Sequence, residues 1–380
     1  MKSLFLLFHG RFPSEKAASL FTAKGAEAFA GSGMRVIVVV PRRKNVEFEN
    51  PFDFYDVKEN FTVKYIPTID FFGILPNKIA FWVSFVVFSI FSFFFVKKAS
   101  KNDDIIYSNE SLPLFLISFI RSDCFFEMHD FPESKLQFFT KFLSRMRWIL
   151  VHNRWKLAEI GKKFPNIPRK KFIYEPNAVD LKTFDIDISK IEARKRLGLP
   201  PDRKITVYTG HLYGWKGVDT LALSAQFLGD EYLIVFVGGT DRDIAVFRKK
   251  YGLSKKILIT GHKPYKEIPL WQKSADVLAL PNTAREAISA YYTSPMKLFE
   301  YMASHRPIVA SDISSIREIV DEKSAVLVVP DEPQALAKAI DSLLKIPKIG
   351  DEIAAQAFED VSNHTWDARA KRILNFIEKV

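Results

Sequence analysis

Apolar residues along this chain gather in short unbroken runs rather than in alternation. Leu4–Phe8, Val36–Val40, Ile105–Tyr107, Cys124–Met128, Trp148–Val151 and Phe172–Tyr174 form one series. Ile205–Tyr208, Leu233–Val237, Ile257–Ile259, Val277–Leu280, Ile308–Ala310 and Val326–Val329 form a second. The runs are short, β-branched or aromatic, and apolar throughout, as strands buried on both faces should be. Helix-like stretches separate them, and that alternation predicts parallel sheets covered on both sides. Two series in 380 residues predict an α/β protein with two Rossmann-like domains, each large enough for its own core. Ligands then bind at the carboxyl ends of the strands, in a cleft between the domains. Neither series carries G-x-G-x-x-G, so a dinucleotide cofactor is not expected.

The first domain is expected over residues 1–180, a linker over 181–200 and the second domain over 201–363. Asp185–Lys190 and a short helix, Ile191–Leu197, make up the connector. Within 364–380, Trp366–Val380 reads as an amphipathic helix with Ala370, Ile373, Leu374 and Ile377 on one side. Ile79–Val96 stands apart, with eighteen residues, eight aromatics and no charge, flanked by Lys78, Lys97 and Lys98. Its length suits a membrane span, but a span between two strands of one sheet would tear that sheet apart. Two readings remain: a helix packed against the sheet, or a helix dipping one face into a bilayer interface. The flanking lysines favour the second.

Charge sharpens that picture. The formal charge is +11, and Lys135–Lys171 holds eleven Lys and Arg against the single acid Glu159. Such a face attracts anionic lipid, a phosphorylated acceptor or nucleic acid, unless it is merely a set of solvated helix faces. The only cysteine, Cys124, lies in an apolar run and is expected to be buried; it excludes an internal disulfide and a cysteine metal cluster. Met1–Phe8 reads as a strand rather than a signal peptide, and a cytoplasmic protein is expected.

The candidate chemistry centres on Ser294-Pro295-Met296-Lys297 and Glu300. After the run ending at Leu280, Ser294 sits where a helix N-cap belongs and Pro295 suits the first helical position. The open N–H groups and positive dipole end of that helix would attract phosphate. Lys297 in the first turn is tolerated best with an anion docked there. Glu300, one turn on, could accept hydrogen bonds from ribose hydroxyls. These features describe a site for a nucleoside diphosphate.

Ser294–Ala303, Arg306–Asp312 and Arg317–Val320 together closely resemble the donor-binding signature of the retaining glycosyltransferases of family 4. The resemblance implies the GT-B fold, with the C-terminal helix returning to the first domain. It also implies a sugar transferred with retention from a nucleotide donor to an acceptor hydroxyl, and no metal. Glu300 matches the second glutamate of the family's pair, which usually holds the donor ribose, while Tyr292 stands in place of the first. Pro176–Asp180 resembles the segment that closes the family's first domain, with Ala178 replacing glycine. Gly210-His211 through Lys216-Gly217 resembles the loop whose two cations neutralise the diphosphate, with His211 in place of arginine. The loop containing Gly10 would lie over the diphosphate. His262 and Lys263 fall in the base-binding loop, and His129, after the strand Cys124–Met128, matches the histidine beside the donor sugar; Glu127 and Asp130 could orient its ring or cap the next helix. Asp185/Asp187 and Asp241/Asp243 have the spacing of metal-binding pairs, but helix capping and solvation explain both better.

The reading is therefore a metal-independent, hexosyltransferase-type enzyme with catalytic residues His129, Lys216 and Glu300. Its donor is a nucleoside-diphosphate sugar and its acceptor a glycan or lipid-linked saccharide at an anionic membrane surface, with nucleic acid not a partner. Rivals are an epimerase or hydrolase of the same fold, a nucleic-acid-binding protein and an inactive partner subunit.

Overall fold

The computed structural model describes residues 2–43 and 50–379. The chain forms two units, Met1–Glu175 with Trp366–Val380, and Pro176–Thr365. In the first, seven strands (β1 Ser3–Leu7, β2 Arg35–Pro41, β3 Thr62–Ile66, β4 Ile105–Ser108, β5 Cys124–Met128, β6 Trp148–Val151, β7 Phe172–Tyr174) form a sheet ordered β3-β2-β1-β4-β5-β6-β7. In the second, six strands (β8 Lys204–Thr209, β9 Tyr232–Val237, β10 Ile257–Gly261, β11 Val277–Leu280, β12 Ile308–Ser311, β13 Val326–Val328) are ordered β10-β9-β8-β11-β12-β13. Pairing is parallel throughout both sheets, as runs buried on both faces require. Both orders reverse direction beside the first strand, which creates a switch point at β1/β4 and another at β8/β11.

Strand β3 is absent from the apolar series. It is one edge of its sheet, and the exposure of Thr62 and Lys64 there breaks the apolar run that a doubly covered strand would show. The aromatic segment consequently connects β3 to β4 as the helix Asn77–Ala99. Ala80, Ser84, Phe88, Ser89, Ser92 and Val96 face the protein, whereas Ile79, Trp82, Val86, Ile90 and Phe94 are exposed. Cys124 is buried.

The unit boundary differs from the expected one. The chain passes between units at Glu175/Pro176 and again at Thr365/Trp366. Asn177 and Val179 are held inside the second unit, Val179 by its N–H donating to His364 O at 2.9 Å. Residues 181–200 are no free linker either. Arg194 is buried and donates to Ser274 O at 2.9 Å and to Asp276 at 2.6 Å. Long-range anchoring of this kind leaves no local compositional mark. The terminal helix Trp366–Lys379 packs Ala370, Ile373 and Ile377 into the first unit, but it also buries Arg369.

Candidate active site

In the second unit the site is assembled at the β8/β11 switch point. The loop after β8 begins at Gly210, with φ +122°, whose N–H donates to Val237 O at 2.8 Å. Tyr208 Oη donates to His211 O at 2.8 Å and pins the loop back. The loop closes in a turn, Gly214–Lys216, and Gly217 (φ +69°) reverses the chain into the helix Val218–Ser224. A Cβ on Gly217 would lie 1.7 Å from Pro281 O, so the β8 loop rests directly on the chain leaving β11. Lys216 is thereby fixed beside that second loop.

The helix after β11 spans Met296–Ala303, with Pro295 at its N-cap position. Ser294 is thus one residue outside the cap expected for it. Its Oγ instead accepts from Asn177 N–H at 3.2 Å, and its carbonyl accepts from Asn177 Nδ2. Tyr301 Oη accepts from Thr209 N–H at 2.8 Å and fixes this helix against the end of β8. Lys297 then meets Gly210: a Cβ on that glycine would lie 3.3 Å from Lys297 Nζ. The Lys297 ammonium is sealed from solvent, stands 3.9 Å from the centroid of the Tyr208 ring and has no hydrogen-bond partner among the described residues.

Lys216, Lys297 and Glu300 act on one another. Burial, aided by the neighbouring Lys216, holds the Lys297 ammonium well below the ordinary lysine range, against the pull of Glu300. Burial also lowers Lys216 to about 8, although Glu300 and Asp243 favour its charged form. Glu300 is raised by burial to about 7 while Tyr265, Lys297 and Lys216 oppose the shift. Tyr265 Oη donates to Glu300 Oε1 at 3.3 Å. A sealed ammonium, a half-buried lysine and a buried carboxylate thus act on one another. Removing charges from water is costly unless they are paired, and an anionic ligand would offset that cost.

The other residues singled out in the sequence of this unit each have their own local setting. His211 stacks on Tyr213 at 4.9 Å and 5° between planes. His262 is exposed just after β10, and Lys263 Nζ lies 5.7 Å from the Trp271 ring centroid. Tyr292 ends a π-helical turn, Ile288–Tyr292. Asp243 caps the helix Asp241–Tyr251 together with Thr240, and Asp185 meets His305 at 3.0 Å. The sequence pattern gives no site role to Tyr208, Tyr265 or Asn177. The partners of Tyr265 and Asn177 lie 35 and 117 residues away, and an aromatic at a strand end carries no distinguishing local signal.

Gly10 and His129 belong to the first unit. Gly10 lies under the Phe8 ring, which a Cβ would meet at 2.2 Å. His9 beside it is buried against Phe81, Phe85 and Phe88, with Nε2 3.0 Å from Ser84 Oγ; burial and Arg43 lower its pKa to about 3. The helix Asn77–Ala99 thereby supports the loop after β1. His129 follows β5 with Nε2 3.4 Å from Glu127 Oε1, and His152 Nε2 is 3.1 Å from the same oxygen. Glu127, His129 and His152 could in principle ligate a cation. The shared oxygen, however, already accepts from Arg369 Nη2 at 2.7 Å, and that guanidinium disfavours a second cation.

Two parallel Rossmann-like units with this helix-and-loop arrangement define the GT-B class of fold. Residues 189–360 match the family described as "Glycosyl transferases group 1". D-inositol 3-phosphate glycosyltransferase of Xylanimonas cellulosilytica is 27% identical over 214 residues, covering 53% of this chain and 49% of the relative. The chain spans about half the length of the curated relatives it matches. HepE of Anabaena, solved in complex with UDP-glucose, aligns over 100% of both chains at 17% identity and a TM-score of 0.77. WaaG, a glycosyltransferase involved in lipopolysaccharide biosynthesis, aligns over 98% of this chain and 99% of its own at 13% identity and a TM-score of 0.71. At these identities the structural likeness is one of fold.

Proposed function

We propose that this protein is a retaining, metal-independent glycosyltransferase of hexosyltransferase type. It moves a sugar from a nucleoside-diphosphate donor to a hydroxyl of a membrane-associated or lipid-linked glycan, in cell-surface polysaccharide or glycolipid synthesis. The observation that carries this reading is the desolvated Lys297 ammonium, unpartnered among the described residues and held beside Lys216 and Glu300. The two lysines and the start of the helix Met296–Ala303 stabilise the departing diphosphate, and Glu300 takes the ribose. The bond from the anomeric carbon to the phosphate oxygen breaks as the acceptor oxygen bonds on the same face. The acceptor proton leaves with the diphosphate. His129 serves the donor sugar, as the resemblance implies. UDP-glucose on HepE supports a nucleotide sugar as the donor class.

A nucleoside diphosphate should raise the melting temperature in proportion to the logarithm of its concentration over its Kd. Glu300→Ala should shrink that shift at equal ligand concentration, and His129→Ala should leave it intact while lowering kcat. Product analysis with and without acceptor separates transfer from hydrolysis or epimerisation. A parent protein unshifted by every nucleoside diphosphate would overturn the reading.

The acceptor side rests on the helix Asn77–Ala99. Only 39% of its most apolar 18-residue window is buried, and the exposed side is apolar while serines face inward. Its exposed stripe from Ile79 to Phe94 is about 22 Å long at 1.5 Å per residue. Lys78, Lys97 and Lys98 flank it, Lys135 Nζ lies 5.5 Å from the Trp82 ring, and Arg121 binds Ser100 at the helix end. A bilayer interface accepts such a stripe, and anionic headgroups answer the lysines. The protein accordingly sits at the cytoplasmic face of the membrane. It should co-sediment with vesicles containing anionic lipid and not with purely zwitterionic ones, and Val86→Glu with Ile90→Glu should abolish the binding. Salt-independent absence of binding, or a dimer in solution that loses its contact on the same substitutions, would contradict this.

A further inference from the structure

Glu127 in β5 is fully buried, and its carboxylate organises the surroundings of His129. Arg369 Nη2 donates to Oε1 at 2.7 Å, Tyr107 Oη donates to Oε2, and His152 Nε2 stands 3.1 Å from Oε1. His129 Nε2 is 3.4 Å from Oε1, an electrostatic contact rather than an aligned hydrogen bond. Burial disfavours the carboxylate's charge, but Arg369 and then the two histidines outweigh it and hold Glu127 well below its usual range. His152 is kept neutral, lowered to about 3 by burial and by His129. Behind the same residue, Lys156 is 1% exposed and its Nζ donates to the carbonyls of Met128, at 3.3 Å, and His129.

A buried ammonium committed to two successive carbonyls fixes the peptide that carries His129. A buried guanidinium on Glu127 keeps that carboxylate ionised and oriented toward the ring. Desolvated charges at such a position are costly if their role is packing alone, because apolar groups of similar volume pack as well. The C-terminal helix already has another tie to its unit, Arg372 to Glu175 at 2.6 Å, so Arg369 is not needed merely to dock it.

We infer that Arg369 and Lys156 are positioning residues for His129. Arg369, brought back by the terminal helix, orients the ring through Glu127, and Lys156 holds the backbone. The negative oxygen facing Nε2 favours the tautomer with the proton on Nε2, which leaves Nδ1 as the acceptor for a ligand hydroxyl. The effect on kcat rests on His129 serving the donor sugar; the tautomer preference does not.

The test compares Arg369→Met, Arg369→Lys, Lys156→Met and, as a helix-docking control, Arg372→Ala. The His129 ring resonances, assigned in 15N-histidine-labelled protein by loss in His129→Gln, report the tautomer. Arg369→Met should shift them away from the Nε2–H form and lower kcat by about ten- to a hundredfold, the scale of a small misplacement of a reacting group. The thermal shift by nucleoside diphosphate should be unchanged. Arg369→Lys should recover part of both effects. Lys156→Met should lower kcat in the same way, and Arg372→Ala should alter stability alone. If Arg369→Met leaves both the His129 signal and kcat like the parent, or Arg372→Ala moves both as much as Arg369→Met does, the inference is overturned. If the parent transfers no sugar but the ring signal still responds to Arg369, only the functional reading fails.

Discussion

Lys297→Met should cost about 10²- to 10³-fold in kcat, the range for removing one preorganised group that stabilises developing negative charge, and yet make the unliganded protein more stable. The ammonium is sealed, and no acceptor among the described residues meets it. Besides the pull of Glu300, its contact among the described residues is the Tyr208 ring at 3.9 Å, worth up to about 2 kcal/mol when desolvated. An uncompensated buried charge costs several kcal/mol, and methionine fills nearly the same space without it. The net gain should be about 1–2 kcal/mol, read from urea unfolding.

The pH dependence follows with a definite sign. Lys297 binds its proton more weakly in the folded than in the unfolded chain. The parent should therefore gain stability as pH rises from that lowered value toward the ordinary lysine range. Lys216 adds to the same trend above about 8. Glu300, raised to about 7, acts oppositely, and its contribution falls between the ordinary carboxylate range and neutrality. The advantage of Lys297→Met should thus be largest at neutral pH and shrink toward about pH 10, where an ordinary lysine loses its proton. A variant less stable than the parent at neutral pH would show that the ammonium is satisfied in a way its surroundings do not indicate.

Gly217→Ala should have the largest effect on the fold of the site. Alanine at φ +69° costs about 1 kcal/mol in backbone strain. The steric cost is greater, because the new Cβ would stand 1.7 Å from Pro281 O, a backbone atom with no rotamer to retreat into. The β8 loop and the chain leaving β11 must separate, carrying Lys216 away from Lys297 and Glu300. Destabilisation of about 3 kcal/mol or more is expected, the upper range for overpacking combined with strain, together with loss of the nucleotide-induced thermal shift. Gly198→Ala is the control. Its φ of +66° imposes similar strain, but nothing lies within 4 Å of the added Cβ. That variant should lose about 1 kcal/mol and bind nucleotide normally. Equal effects of the two substitutions would remove the special role given to the Gly217–Pro281 contact.

Much of this molecule is legible residue by residue. Twelve of the thirteen strands announce themselves as apolar runs, because a strand covered on both faces needs no polar positions. The strand Thr62–Ile66 does not, since its Thr62 and Lys64 meet water. Helical periodicity alone likewise puts Lys297 and Glu300, one turn apart, on a common face. The unit boundary and the environment of His129 are different in kind. Val179 looks like a first-domain residue and Arg194 like a linker residue until they are seen bonded to His364 and Asp276.

Local order therefore comes from short-range pattern: periodicity, turn residues and the reach of one helical turn decide which elements form and which charged groups sit on each. What surrounds those groups is a matter of contacts between distant segments. Glu127 and Arg369 meet across 242 residues, and Thr209 and Tyr301 across 92. Desolvation, and with it the state of every buried lysine, carboxylate and histidine at the site, exists only once the sheets have closed over them, because burial belongs to the packed unit and not to any stretch of chain.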